Sequence, residues 1–595
     1  MKQGKNRRLA NVKTRRETGL DHVMFNLDLN TPFGKKQLKE LKPYYPGEET
    51  QLRQELDRVD MMIQFVKQNQ TLTDKIQEVF MEVKDPSLTV QRSGSVTLST
   101  VELFEVKSLL LQMRQLRKLT MEHEIGDYKG IHSSEECKVA GGEHSEEDKA
   151  CCGPQSEAKN LIFESDENAP LVNTVPEEYF LEDTEDLLDE LDPRGDRMNT
   201  FYIYDEFSLL LGEYRAKKRE YELMIRKEQK QTREQLRREH GVQLTPKFDI
   251  VVARSHPDFE KIQALEQLEV VDQDYMSVTF QLKPTDKIRN YISEVENINA
   301  EIESEEEKVR ETLSRKIFQK ADVLLENCDK MGALDLALAR AIYSIKHDLV
   351  KPEITDEHIV EFEDGRNLQV EDIIKAKGKE YCPVSLALKD GVTLITGANM
   401  GGKTISLKLA GQIPILAQYG FFVPARRARI GLSNYMQILI GDSQSVERGL
   451  SSFGSEMEEL KEILDNGQER SLILIDEIAS GTNPTEGTAL TKSLVDYLIE
   501  KPYISLITTH FETVTEREGI VNMQVKGLAD CDFAKLNSEI QRANRRDRIN
   551  IISKYMDYRL QRVENGAQVP KDALNIAAML GIDKAIIDGA KKYIR

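Results

Sequence analysis

Residues 393–404, "TLITGANMGGKT", join an apolar run to a glycine-rich loop that closes on Lys-Thr. Gly397 to Thr404 fit the phosphate-loop spacing G-x-x-x-x-G-K-[ST]. The loop follows the apolar strand "VTLIT" and opens a helix, so backbone N–H groups and a helix N-terminus face the ligand. Gly397, Ala398, Asn399, Met400, Gly401 and Gly402 form the cradle of this nucleotide site. Lys403 is expected to reach the β- and γ-phosphates of ATP, and Thr404 to ligate magnesium.

About seventy residues later comes "RSLILIDEIASGTNPTEG". Leu472 to Ile475 read as a buried strand with two carboxylates at its end. Asp476 is suited to hold magnesium through its water shell, and Glu477 to polarise an attacking water. In "YISLITTHF", His510 stands just past a further strand, where it can sense the γ-phosphate. These runs, with "GVTLITG" and "YMQILIG", alternate with helical patterns from about Tyr381 on. Such alternation predicts an α/β domain around a largely parallel, buried sheet over 381–595.

Upstream, the pattern is helical. Apolar positions recur at three and four through "VELFEVKSLLLQMRQLRKL", and residues 20–205 read as the first part of a helical core. Gly, Ser and Glu break the pattern over 131–158. That insertion holds Cys137, His144, Cys151 and Cys152; a metal site there competes with a plain loop, and the adjacent cysteine pair lacks the usual zinc spacing. Residues 206–325 read as a long exposed helix, two short strands in "FDIVVAR" and "YMSVTFQLK", and a second long helix from near Pro284. Ile288, Val295, Ile302 and Val309 repeat every seven, with Tyr291 and Ile298 marking a second seam position. They predict an antiparallel helical pair, the alternative being an intermolecular coiled coil. Residues 326–380 read as a helical return of the core.

The 595 residues suit roughly four domains by length. The net charge of −20 opposes broad binding to a phosphate backbone, because an acidic surface repels nucleic acid. Six cysteines in such a chain form no disulfide framework. No apolar run has the length of a membrane span, and the basic start, residues 1–19, has no hydrophobic segment after it. It reads as a solvated tail, and the protein as cytoplasmic.

"TGANMGGKT", "IGDSQSVERGLSSFGSEM", "LILIDEIASGTNPTEG" and "TTHF" resemble the nucleotide-binding domain of the MutS family, the mismatch-repair branch of the ABC-type ATPases. Ala398 and Thr404 stand where that family's loop has Pro and Ser; Asn399 and Met400 match it. The resemblance implies that Ser451, Ser452, Phe453, Glu456 and Met457 belong to the signature segment facing a partner subunit's nucleotide. Ser480, Gly481, Thr482 and Asn483 resemble the inter-subunit loop after the catalytic acid. Gln444 stands where the family has an Asp, and Cys382-Pro383 replaces its His-Pro, which affects adenine packing. "LDLNTPFGKKQLKELKP" from Leu27, "LALARAIYSIKHDLVKPEI" and "MDYRLQRVENGAQVPKDALNIAAMLGIDKAIIDGAKKYI" resemble the family's core opening, core end and closing dimerisation segment.

The implied architecture is an α-helical core with a long paired-helix arm, followed by an α/β P-loop ATPase domain, in a homodimer with composite ATP sites. No mismatch-reading domain is expected ahead of the core, and no nuclease appendage after the ATPase. Three functions follow: a mismatch-repair clamp, a factor for branched DNA, or a protein-remodelling ATPase. Relatives of this truncated form resemble the ATPase partner that reactivates adenosylcobalamin-dependent lysine aminomutase.

Overall fold

The computed structural model describes residues 8–121, 175–376, 378, 380–397, 402–441, 452–511, 514, 518–528, 531–542, 544, 548–564 and 572–593. The 131–158 insertion, with Cys137, His144, Cys151 and Cys152, lies outside them. Among the described residues no cluster of His, Cys, Asp or Glu could hold a metal ion. Within the same set no helix is long and apolar enough to cross a membrane. The protein is a mixed helical and α/β structure with several sheets.

Two compact units share the chain: Met1–Gln77 with His123–Tyr179 and Gly332–Arg595, and Glu78–Glu122 with Phe180–Met331. The described residues of the stretch 20–205, read as the first part of a helical core, fall into both units.

In the second unit, helices Leu209–His240 and Asp286–Gln319 lie side by side. Gly241, at φ 70°, ends the first in a left-handed cap that a side chain would oppose. Thr285 starts the second, its hydroxyl accepting from Ile288 N at 3.3 Å. Ile288, Ile298 and Val309 are buried along the seam, Tyr221 and Tyr291 rings meet at 5.9 Å, and Arg215 pairs with Glu306 at 2.7 Å. Between the helices sits a small antiparallel sheet, β1 (Asp249–Ala253), β2 (Leu268–Gln273) and β3 (Ser277–Leu282), in the order β1-β3-β2. Strand β2 is absent from the two-strand sequence reading. Only Leu268 is buried in it, so "LEVVDQ" shows no alternation of buried and exposed positions.

The same unit carries a fully buried ion pair. Lys107 Nζ lies 3.2 Å from Asp192 Oδ1 and donates to Thr200 O at 2.9 Å, while Arg197 N donates to Asp192 Oδ2 at 2.9 Å. Burial opposes ionisation of Asp192, yet the Arg197 amide and Lys107 outweigh it and hold the carboxyl below its ordinary range.

The first unit begins with a segment expected to be a solvated tail; from Arg8 onward it is folded instead. Asn11 caps helix Val12–Glu17, and Leu9 and Thr14 are buried. The segment covers the edge of the main sheet: Met436 N donates to Leu9 O at 2.7 Å and Ile438 N to Thr14 Oγ1 at 3.2 Å. Its charges are matched, Lys13 with Glu459 at 2.7 Å and Glu17 with Lys408 at 2.8 Å. The "LDLNTPFGKK" stretch forms a second packed junction. Thr31 caps helix Pro32–Glu40, and Asp335 accepts from Thr31 N and Oγ1, both at 2.7 Å. Gly332 is required there, since a Cβ would lie 2.8 Å from the Phe33 carbonyl carbon.

Two sheets complete this unit. One is four-stranded, β4 (Glu353–Thr355), β5 (Ile359–Gly365), β6 (Val384–Lys389) and β8 (Arg427–Gly431), in the order β4-β8-β5-β6. Strands β4 and β5 correct the all-helical expectation for 326–380 and move the start of sheet structure ahead of Tyr381. In β5, "IVEFEDG", buried Val360 and Phe362 flank Glu361, and the strand pairs with residues downstream, which a boundary drawn from composition misses.

The larger sheet has the order β13-β12-β7-β11-β10-β9, where β7 is Gly391–Thr396, β9 Tyr435–Ile440, β10 Ser471–Asp476, β11 Tyr503–Thr508, β12 Ile520–Gly527 and β13 Asp557–Val563. All neighbours are parallel except β12 and β13. Its central strands are continuous apolar runs because helices cover both faces. Leu394, Leu472, Leu474, Leu506 and Ile507 are fully buried, each contributing about 1.5–3 kcal/mol.

Replacing Lys107 by Met leaves Asp192 with Arg197 alone, through its amide at 2.9 Å and its guanidinium at 3.5 Å, and urea unfolding should show a loss of about 1–3 kcal/mol. Because the Asp192 value is depressed, this contribution is complete above the ordinary aspartate range and fades as pH falls through the depressed one. A pH-independent loss would contradict the buried-charge account.

Candidate functional site

The parallel strands end in register. Ile440, Asp476, Thr508 and Ile395 form one row across β9, β10, β11 and β7. Ligands of open α/β sheets bind beyond such carboxyl ends, so whatever follows these residues shares one crevice.

After β7 the chain reaches Gly397, at φ 131°, where a Cβ would lie 3.2 Å from that of Val525. Ala398, Asn399, Met400 and Gly401 lie outside the described residues. Helix Gly402–Gln418 then begins, with Gly402 pressed so near Tyr558 that a Cβ would sit 3.1 Å from its ring. The buried Lys403 donates from Nζ to Gly397 O at 3.1 Å and pairs with Glu477 Oε1 at 2.8 Å. Thr404 Oγ1 donates to Asp476 Oδ2 at 2.8 Å. Gly397, Gly402, Lys403, Thr404, Asp476 and Glu477 are thus brought together.

Thr508 is a member that sequence reasoning left without a role. Its hydroxyl donates to Asp476 Oδ1 at 2.5 Å and accepts from Glu477 N at 3.0 Å, joining both acidic residues to the end of β11. The signal lies in "TTHF", but it needs the register Asp476↔Thr508 to be read. His510, two residues on, is exposed and rests its ring on Phe511 at 4.3 Å.

The turn after β10 is strained. Glu477 and Ala479 hold φ of 44° and 57°, left-handed values that cost a non-glycine residue about 1–3 kcal/mol each. Ser480 N donates to Glu477 O at 3.2 Å and Thr482 N to Ala479 O at 3.3 Å, closing the turn. Asn483 then caps helix Pro484–Ile499 through Thr485 N at 2.9 Å. Gln444 and Ser451 lie outside the described residues; Ser452 opens helix Ser452–Asn466, on which Phe453 and Met457 pack against the sheet core. Glu456, implied to face a partner's nucleotide, is half-buried and accepts from Ala479 N in its own chain at 3.3 Å.

A buried ammonium beside a loop carbonyl suits an anionic phosphate, and the Thr404 hydroxyl with the Asp476 carboxylate offers the hard oxygen donors that magnesium takes. The donor set therefore fits a magnesium nucleotide. Fold and cluster together define an α/β protein with a polar, lysine- and carboxylate-lined site at the carboxyl ends of its parallel strands.

Comparison with known proteins narrows that class. Residues 393–595 match the family model of MutS domain V. The chain is 30% identical over 400 residues to the endonuclease MutS2 of Shouchella clausii, covering 66% of this chain and 47% of that protein. It is 33% identical over 264 residues to the endonuclease MutS2 of Clostridium botulinum strain Okra, covering 43% of this chain and 33% of the relative. The DNA mismatch repair protein MutS of Salinibacter ruber is 30% identical over 324 residues, 52% of this chain and 33% of that one. This chain belongs to the MutS family. It spans between a third and a half of the length of these relatives.

Thr508→Val removes the hydroxyl between the two acids. The expected outcome is a stability loss of about 1–2 kcal/mol in urea unfolding and a fall of about tenfold in nucleotide hydrolysis. Unchanged hydrolysis would show that Asp476 and Glu477 are held without it.

Proposed function

We propose that this chain is a magnesium-dependent ATPase of the MutS family that couples hydrolysis to movement of a helical arm on DNA, with mismatched or branched duplexes as the class of substrate. The observation that carries the ATPase reading is the placement of Lys403 between Gly397 O and Glu477, beside the Thr404–Asp476 pair.

In the proposal Gly397, Ala398, Asn399, Met400, Gly401 and Gly402 cradle the phosphates. Thr404 and Asp476 would hold magnesium, which would neutralise negative charge on the bound phosphates. Lys403 now neutralises Glu477. A phosphate competing for that ammonium frees the Glu477 carboxylate to accept a proton from water, so the base becomes available only when substrate is present. His510 stands at the γ-phosphate end. Ser451 and Ser452 complete the site of a second subunit, giving a homodimer with two shared sites. The helices Leu209–His240 and Asp286–Gln319 are the moving arm.

A second reading rests on charge. On the solvent face of the β1-β3-β2 sheet, the cross-strand rows are Asp249, Gln281, Glu269 and Val251, Thr279, Asp272, with no Lys or Arg among them. With a net charge of −20, such a face repels phosphate and favours a protein as the moved partner. A protein-remodelling ATPase, acting on a B12-dependent lysine aminomutase or its reactivation partner, is the form this alternative takes.

Glu477→Gln should lower ATP turnover by about 10²-fold or more while a fluorescent ATP analogue still binds. Parent-like turnover would overturn the mechanism. Titration of the parent protein with duplex and branched DNA across a salt series separates the readings. A steep fall of affinity with salt supports the DNA-associated one, whereas no binding at low salt favours the protein partner.

A further inference from the structure

Helix Ser452–Asn466 places Phe453, Glu456, Met457 and Leu460 at three- and four-residue spacing, so all share the face turned to the sheet. Leu460 is buried and Phe453 and Met457 pack on the core, which carries the Glu456 carboxylate inward with them. Both its oxygens lie 3.3 Å from Ala479 N. Ala479 is fully buried, and its left-handed φ of 57° turns that N–H toward the helix. A buried amide without an acceptor is costly, and Glu456 is the acceptor that this one has. Two residues back stands Glu477, also left-handed at φ 44°, with its carboxylate on Lys403.

We propose that Glu456 is a positioning residue for Glu477 of its own subunit. Its carboxylate holds the Ala479 amide, thereby fixes the strained Glu477–Ala479 turn, and keeps the Glu477 carboxylate at the lysine of the phosphate site. The role differs from contact with a neighbouring subunit's nucleotide, because the hydrogen bond is made within one chain. A further brace holds the same helix: Lys13 pairs with Glu459 and donates to Ile440 O at 3.2 Å, at the end of β9. The inference deepens the ATPase reading and rests on Glu477 being the base; its inter-subunit test also rests on the dimer.

Three variants separate reach from charge. Glu456→Gln keeps an acceptor oxygen at the same distance and should retain kcat for ATP within about threefold of the parent. Glu456→Asp keeps the charge but falls a methylene short, and with Glu456→Ala should lose about tenfold or more in kcat with KM for ATP nearly unchanged. Parent-like kcat in Glu456→Asp and Glu456→Ala would overturn the proposal, as would equal losses in Gln and Asp. Thermal unfolding of each variant checks the fold; should Glu456→Ala not fold, the Gln–Asp contrast decides alone. Loss of turnover in Glu477→Gln is the separate test of the base itself.

Mixing Glu456→Ala with Lys403→Ala protein tells which subunit is served. Within a mixed dimer, positioning inside one chain leaves both sites defective and turnover stays low. Recovered turnover means that Glu456 serves the neighbouring site, which overturns the proposal. A monomeric mass in light scattering contradicts the two-subunit reading instead, and the Gln–Asp contrast then decides the positioning role.

Discussion

A buried ammonium is tolerated only where oxygen atoms surround it, and Lys403 imposes that condition on the head of the main sheet. It needs the Gly397 carbonyl from the end of β7 and the Glu477 carboxylate from the end of β10, with β11 lying between those strands. The carboxyl ends of three parallel strands must therefore stay level. A one-residue slip of any one of them would turn its side chains to the opposite faces and separate the pair. The fully buried apolar runs of β7, β10 and β11 enforce the register, since each is covered on both faces and any slip changes its packing. Core and site are in this sense one construction: the hydrophobic strands fix where the charges meet.

The two edges of that sheet are handled differently. Antiparallel β13 pairs with β12, and Tyr558 at its start presses on Gly402, so one edge strand also helps shape the phosphate loop. At the other edge the backbone N–H groups of β9 would be open to another chain, and the N-terminal segment covers them through Leu9 O and Thr14 Oγ1. Its Lys13 reaches Glu459 on the helix that carries Glu456, so the covering segment bears on the site without touching it.

How much of this the sequence shows depends on whether the signal is local. The phosphate-loop spacing and the apolar runs of β7, β10 and β11 are contiguous, and both are legible. Thr508 is not: its partners are 31 and 32 residues away, and only the register of β10 on β11 makes it a bridge. Strand β5 is missed for a similar reason, because its partners β6 and β8 both lie further along the chain. Strand β2 has a weaker signal still, as five of its six residues are exposed. The segment from Arg8 reads as a tail because its charges look unpaired, and the acid that pairs with Lys13, Glu459, is hundreds of residues downstream.

The left-handed turn from Glu477 to Ala479 is where these strands of argument meet. A glycine would adopt those φ values without strain, yet the chain keeps a carboxylate at one position and an alanine at the other. A non-glycine residue persists there only if its surroundings over-determine the conformation. Here they do so from four sides: Thr508 takes the Glu477 amide, Lys403 takes its carboxylate, Glu456 takes the Ala479 amide, and Gly487 leaves room for the Ala479 carbonyl, which a Cβ would approach to 2.9 Å. Two of those four contacts, through Lys403 and Glu456, are ionic or charge-assisted. Under the proposed mechanism a competing phosphate would draw Lys403 from Glu477, and a shift of helix Ser452–Asn466 would free the Ala479 amide. A turn held against its own preference by such contacts has stored conformational energy that either event releases, which makes it the element of this site best built to change state.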